Sequence, residues 1–170
     1  MFNHPWLRFA WCLIGAAGGI GLALGATGLQ ASPFLLASLG GSAVFLFGLT
    51  RAPAAQPRAL LGGHVGGALI GIVCYQAIGD ALWVYALAQA LGLGYMLAAR
   101  VVHPPAGANP ILMVYVHASW SALVNPVLLG VACLMVVAAV WSRLYPGLVR
   151  YPVSLLEPSP PRVLWGGWDP

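Results

Sequence analysis

Lysine is absent from this 170-residue chain, and its formal charges are seven arginines set against Asp80, Glu157 and Asp169, only 6% of the residues. Soluble domains carry roughly a quarter charged residues, so so sparse a set excludes an ordinary water-soluble surface. The net charge of +4 reflects how few charges there are and does not make a basic patch, which argues against a nucleic-acid partner. Carboxylates are missing from every apolar stretch, so an intramembrane acid–base site is not expected, and neither is an enzyme. The three cysteines, Cys12, Cys74 and Cys133, fall in apolar stretches with no CxxC pair, and they read as packing residues. His64, His103 and His117 are joined by no carboxylate or thiolate, so neither a metal nor another cofactor is expected. The first apolar stretch has no clear small-residue cleavage site and reads as an anchor that stays on the chain.

What the chain has in abundance is apolar length: 61% of it is hydrophobic and the mean hydropathy is +0.88, values of an integral membrane protein. A bilayer core takes about 20 apolar residues as a helix. Phe9 to Leu29, Ala59 to Gly79, Ala81 to Ala99 and Trp120 to Trp141 meet that length. Pro33 to Leu49 and Val101 to Val116 are shorter and interrupted, by Gly40-Gly41 and by the run His103-Pro104-Pro105, and either cross or re-enter. Arginine placement favours crossing. With six crossings Arg8, Arg51, Arg58, Arg100 and Arg143 all lie on one side, whereas four crossings set the Arg51/Arg58 loop opposite Arg8. The expected fold is therefore an all-α membrane protein of six hydrophobic segments, arranged as a 3+3 inverted repeat with two broken or half-length helices. Residues 1–144 form this membrane domain, and residues 145–170, rich in proline and carrying Trp165 and Trp168, form a tail lying on the membrane or on a partner. Both termini are expected on the cytoplasmic side, in a bacterial inner membrane.

Irregular backbone at membrane depth survives only where protein or a water-filled cavity surrounds it, so His103-Pro-Pro-Ala-Gly-Ala-Asn-Pro110 marks a pathway or binding site. Pro104 and Pro105 suit a first helical turn. Free N–H groups of Ala106, Gly107, Ala108 and Asn109 then form a cup for a small anion, with the helix dipole behind them. Gly40, Gly41, Ser42 and Ala43 form a matching cup in the first half, to which the Ser42 hydroxyl adds a donor. The competing reading makes both runs simple kinks closed by neighbouring helices. His64 is either a neutral histidine bonded to a carbonyl of the next helix or a donor lining a path. His117 reads as interfacial and His4 as solvated. Glycines at 62, 63, 66, 67 and 71, and six more between Gly15 and Gly28, bring helices close, within one subunit or between two.

Three runs, Gly41-Ser-Ala-Val-Phe-Leu-Phe47, Gln56-Pro-Arg58 with Gly63-His64, and His103-Pro-Pro-Ala-Gly-Ala108, resemble the HPP family of integral membrane proteins, over roughly Gly40 to Leu112. The resemblance implies at least four transmembrane helices and, from plastid and cyanobacterial relatives, transport of nitrite. Some relatives carry a C-terminal CBS domain, for which the residues after Trp141 are too few. Relatives commonly have Asn where this chain has Ala59, and Thr-Ala where it has Asn109-Pro110, a proline that removes one N–H from the cup. The expected function is a transporter or channel for a small monovalent inorganic anion, nitrite first, moved with or without a proton. Arg58 attracts it, His64 and His103 hydrogen-bond it, and Gly41, Ser42, Gly107, Ala108 and Asn109 hold it. The lipid bilayer and a second copy of the chain, as a homodimer, are the other expected partners. The alternatives are a membrane subunit that binds a ligand without moving it, or an intramembrane enzyme.

Overall fold

Proline sets where the helices begin. Pro5 opens α1 (Pro5–Thr27), Pro57 opens α3 (Pro57–Ile78), and Pro104 opens a tight 3₁₀ stretch (Pro104–Ala108) that runs on into α5 (Asn109–Tyr115). Each proline lacks an N–H that the first turn leaves unpaired in any case. The chain is seen here in a computed structural model that describes residues 4–28 and 37–162. The remaining elements are α2 (Ala37–Ala43), continued by a wider π-helical turn (Val44–Gly48), α4 (Leu82–Ala99) and α6 (Leu129–Leu144). No strand occurs among the described residues. Pro33 to Leu36, at the head of the second apolar segment, and Trp165 and Trp168 lie outside them.

Among the described residues four helices are long and apolar enough to cross a membrane: α1, α3, α4 and the 22 residues Leu123–Leu144 that contain α6. The two other elements are short among the described residues. Their 12 or so residues reach only about 18 Å, against a hydrocarbon core of about 30 Å. One expectation is corrected here. Gly40 and Gly41 do not break the second segment, because both lie inside α2. Gly41 instead admits a neighbour: a Cβ there would stand 2.9 Å from Pro105 Cβ.

Side-chain contacts fix which helix ends lie together. Trp11 near the start of α1 stacks on Trp141 near the end of α6, with ring centroids 4.2 Å apart. Arg58 at the start of α3 donates to Ala99 O at the end of α4, 3.0 Å away. Gln56 donates to Thr50 O and Ala52 O, tying the chain after α2 to the head of α3. At the other end Asn125 donates to Thr27 O, and His117 meets Asp80. The helices therefore alternate in direction, α1 starting and α4 ending at the same end. Among the described residues each half runs long, short, long with the directions of the second reversed, the orientation that an inverted repeat requires.

Close approach along α3 is within the chain. A Cβ on Gly63 would come within 3.1 Å of His103 Cβ, and one on Gly71 within 2.7 Å of Met113 Cβ. On α1, Gly15 and Gly19 pack on Trp141 and Leu134, whereas Gly18, Gly21 and Gly25 have nothing within 4 Å.

Residues 145–162 of the tail fold back on their own domain. Tyr151 belongs to the buried cluster that also holds Leu46, Leu60 and Ala138, and burial raises its phenol above the ordinary range. Gln56 Oε1 accepts from Val153 N (2.9 Å) and Ser154 N (3.2 Å). Ser159 N donates to Arg100 O and Ser159 O accepts from Val102 N. Arg100 takes a left-handed conformation (φ 54) that closes α4, a state disfavoured by roughly 1–2 kcal/mol for a residue with a Cβ. Its guanidinium binds the carbonyls of Pro160 and Pro161, which helps to hold that conformation.

Candidate functional site

Where α2 and the proline-led stretch cross, four polar side chains meet: Ser42, His64, His103 and Asn109, each no more than 1% exposed. Each is placed by a local rule. Ser42 lies in the last turn of α2. His64 is seven residues into α3, about 10 Å from the helix end. His103 is extended (φ −126, ψ 101) because the residue before a proline avoids the helical region. Asn109 is the first residue of α5. Gly63 lets His103 approach α3, and Phe45 sets its ring edge against the His103 imidazole, with centroids 5.3 Å apart.

Ser42 Oγ lies 2.8 Å from His64 Nε2 and 2.8 Å from His103 Nε2. His103 Nδ1 lies 2.6 Å from Ala54 O. Asn109 Nδ2 lies 3.0 Å from His64 Nδ1 and 3.0 Å from His64 O. These distances fix both tautomers when the rings are neutral, and of the two acceptors open to the Ser42 hydrogen, Ser38 O at 3.0 Å and His103 Nε2 at 2.8 Å, the nearer completes a chain of donors. A carbonyl can only accept, so His103 carries its hydrogen on Nδ1 and its Nε2 is an acceptor. The carbonyl of His64 likewise requires the NH₂ of Asn109 to face it, so His64 Nδ1 accepts and its hydrogen is on Nε2. The chain then runs in one direction: Asn109 donates to His64, His64 to Ser42, Ser42 to His103, and His103 to Ala54 O. Every side-chain donor is engaged. One atom is left over, the fully buried Asn109 Oδ1, which has no protein partner.

Ser42, His64, His103 and Asn109 are thus brought together, and four other expected site residues are not part of the network. Gly41 packs on Pro105, and Gly107 faces the Gln89 side chain. Ala108 is exposed. The guanidinium of Arg58 is spent on Ala99 O and Leu156 O. The paired amide cups do not form as expected: Ser42 lies within the continuous helical run Ala37–Gly48 rather than at a helix start, and Ala106 N–H donates to His103 O at 2.9 Å. The site also sits nearer the arginine-bearing end than mid-depth.

Beside the network, one turn along from Ser42, opens a cavity of 430 Å³ whose lining includes Trp11, Leu46, Phe47, Arg51 and Trp141. Arg51, exposed at this mouth, occupies the position that sequence reasoning gave to Arg58. Gln56 and the Ala54 carbonyl were also passed over, although Gln56 stood in the motif quoted for Arg58. At the opposite end, Asp80 accepts from Tyr85 (2.7 Å) and pairs with His117 (2.7 Å), whose ring stacks on Tyr75. The hydrogen bonds from His117 and then Tyr85 hold the Asp80 carboxyl below its ordinary range. No group of three metal-ligating side chains occurs among the described residues.

Six apolar helical segments around a buried polar crossing define a polytopic helical membrane protein. The profile of the HPP transmembrane region matches residues 2–152, and the chain belongs to that family. It is similar to two transmembrane proteins of Dictyostelium discoideum. One is 36% identical over 85 residues, 48% of this chain and 27% of the relative. The other is 34% identical over 114 residues, 62% and 40% of the two chains. The chain thus spans less than half the length of either relative. No solved structure matches it.

Proposed function

We propose that this protein moves a small monovalent anion of the nitrite class across the membrane together with a proton. The observation that carries the reading is the buried Ser42–His64–His103–Asn109 network at the crossing of the two short helices. Polar and titratable groups at membrane depth are expensive and mark substrate or ion pathways, and discontinuous helices frame the sites of inverted-repeat transporters. The cavity at Arg51 serves as the vestibule, where the guanidinium draws an anion to within one helical turn of Ser42. Nitrite uptake by vesicles holding the purified protein tests this, with Ser42→Ala and His103→Ala for comparison. Equilibrium binding without uptake favours the non-transporting subunit instead.

One observation favours a second reading. Ser42 donates to His103 Nε2 while His103 Nδ1 is held by Ala54 O, the geometry of a nucleophile with its base. It ranks lower because Ser42 is fully buried and does not line the cavity, so the surrounding helices must part to reach the hydroxyl, and further for a molecule with a bond to be cleaved than for a small anion.

A further inference from the structure

The neutral network has no donor to offer an anion, because all of its side-chain hydrogens are already engaged, and its one unpaired atom is an acceptor. An anion can be held only after the network changes its protonation. We propose that His103, and not His64, takes up that proton, and that protonation of His103 releases the Ser42 hydroxyl to bind the anion, so that proton binding comes first. This rests on the anion reading above and assigns its two histidines different tasks.

The two rings differ in what an added proton would meet. At His103 the open lone pair is on Nε2, 2.8 Å from Ser42 Oγ. A proton placed there forms an N–H bond directed at a hydroxyl oxygen, which can accept it, while Nδ1–H goes on donating to Ala54 O. Ser42 then accepts from both imidazoles and its own hydrogen is set free. Ser38 O, 3.0 Å away, takes that hydrogen when no ligand is present, and an anion takes it otherwise. No heavy atom of the network need move for His103 to take up the proton. At His64 the open lone pair is on Nδ1, which faces the NH₂ of Asn109. A proton there sets donor against donor, and turning the amide to relieve it points Oδ1 at the carbonyl of His64, acceptor against acceptor.

Groups facing His103 bias the choice no further. They are Ser42 from α2, Phe45 from the turn after it, the Ala54 carbonyl, and Gly63 and His64 from α3. His64 is the sole titratable member of that set. Arg58 and Arg100, on flanking elements, point their guanidinium groups at backbone carbonyls on the surface. The imidazolium of His103 and a bound monovalent anion cancel in charge, so the loaded site is neutral, which lowers the cost of holding it at membrane depth.

Nitrogen-15 spectra of histidine-labelled full-length protein in lipid bilayers separate the tautomers directly, with His64→Gln and His103→Gln used to assign the signals. At alkaline pH the expected result is opposite tautomers, hydrogen on Nε2 for His64 and on Nδ1 for His103. On acidification with nitrite present, both nitrogens of His103 become protonated and His64 does not change. In binding assays the apparent nitrite affinity weakens about tenfold for each pH unit once His103 is neutral. The His64→Gln variant keeps that dependence and His103→Gln loses it. Matching tautomers in the two rings, or titration of His64 ahead of His103, overturns the assignment even if vesicles take up nitrite. If His103 alone titrates and vesicles take up nothing, transport is the reading that fails, and the proton assignment stands for a ligand-binding site.

Discussion

Asn109 donates twice to a single residue, through Nδ2 to Nδ1 of His64 and to its backbone oxygen, both at 3.0 Å. That double contact fixes the orientation of the amide, hence the tautomer of His64, and through Ser42 the direction of the whole chain of donors.

Asn109→Asp reverses the first link. A carboxylate can only accept, so it turns away from the His64 carbonyl that Nδ2 had faced, and His64 gains a hydrogen on Nδ1 and becomes the more readily charged ring. Nitrogen-15 spectra should show the titrating histidine move from His103 to His64, and nitrite binding should lose its wild-type pH dependence.

Gly41→Val forces α2 away from Pro105, since a Cβ would stand 2.9 Å from that ring. Overpacking of this kind costs about 1–3 kcal/mol. Gly40, with nothing within 4 Å of its Cβ position, should tolerate Ala and gain up to about 1 kcal/mol from helix propensity. Thermal unfolding of the two variants in detergent should shift in opposite directions.

Gln56→Leu releases the tail. The side chain is buried and makes four hydrogen bonds, two to the carbonyls of Thr50 and Ala52 and two from Val153 N and Ser154 N. Leaving such groups unpaired costs about 1–3 kcal/mol each where they remain buried. Limited proteolysis should cut residues 153–158 much faster in the variant, with the helices intact.

Asp80→Asn removes the accepting carboxylate of the exposed pair with His117. Because the folded Asp80 titrates below its ordinary value of 3.8, its contribution to stability is fully present above that value. It is lost as pH falls through the lower, folded value. The gap in melting temperature between wild type and variant should close as the pH is taken below 3.8.

Much of the architecture was legible because hydrophobic length and proline position are local signals. The four long spans, the two short segments and the start of the fifth segment at Pro104 followed from them. Gly40-Gly41 misled, since a glycine pair in an apolar run can break a helix or admit a neighbour, and Pro105, 64 residues away, decides which. The histidines and Ser42 were legible as polar residues at depth, but their union depends on α2 crossing the proline-led stretch, which no local pattern encodes. Arg58 was assigned to the path on its charge and its place in the Gln56-Pro-Arg58 motif. Its engagement by Ala99 O and Leu156 O requires the fold of the tail, and Arg51 was left as the exposed cation at the cavity.

The most direct measurement is proton-coupled nitrite flux into sealed vesicles carrying the purified protein, followed with an internal pH indicator under an imposed nitrite gradient. Acidification of the lumen that accompanies nitrite entry, and falls by at least about tenfold in correctly folded His103→Ala, is the predicted result. Nitrite entry with no proton movement, or flux unchanged in His103→Ala, would contradict it.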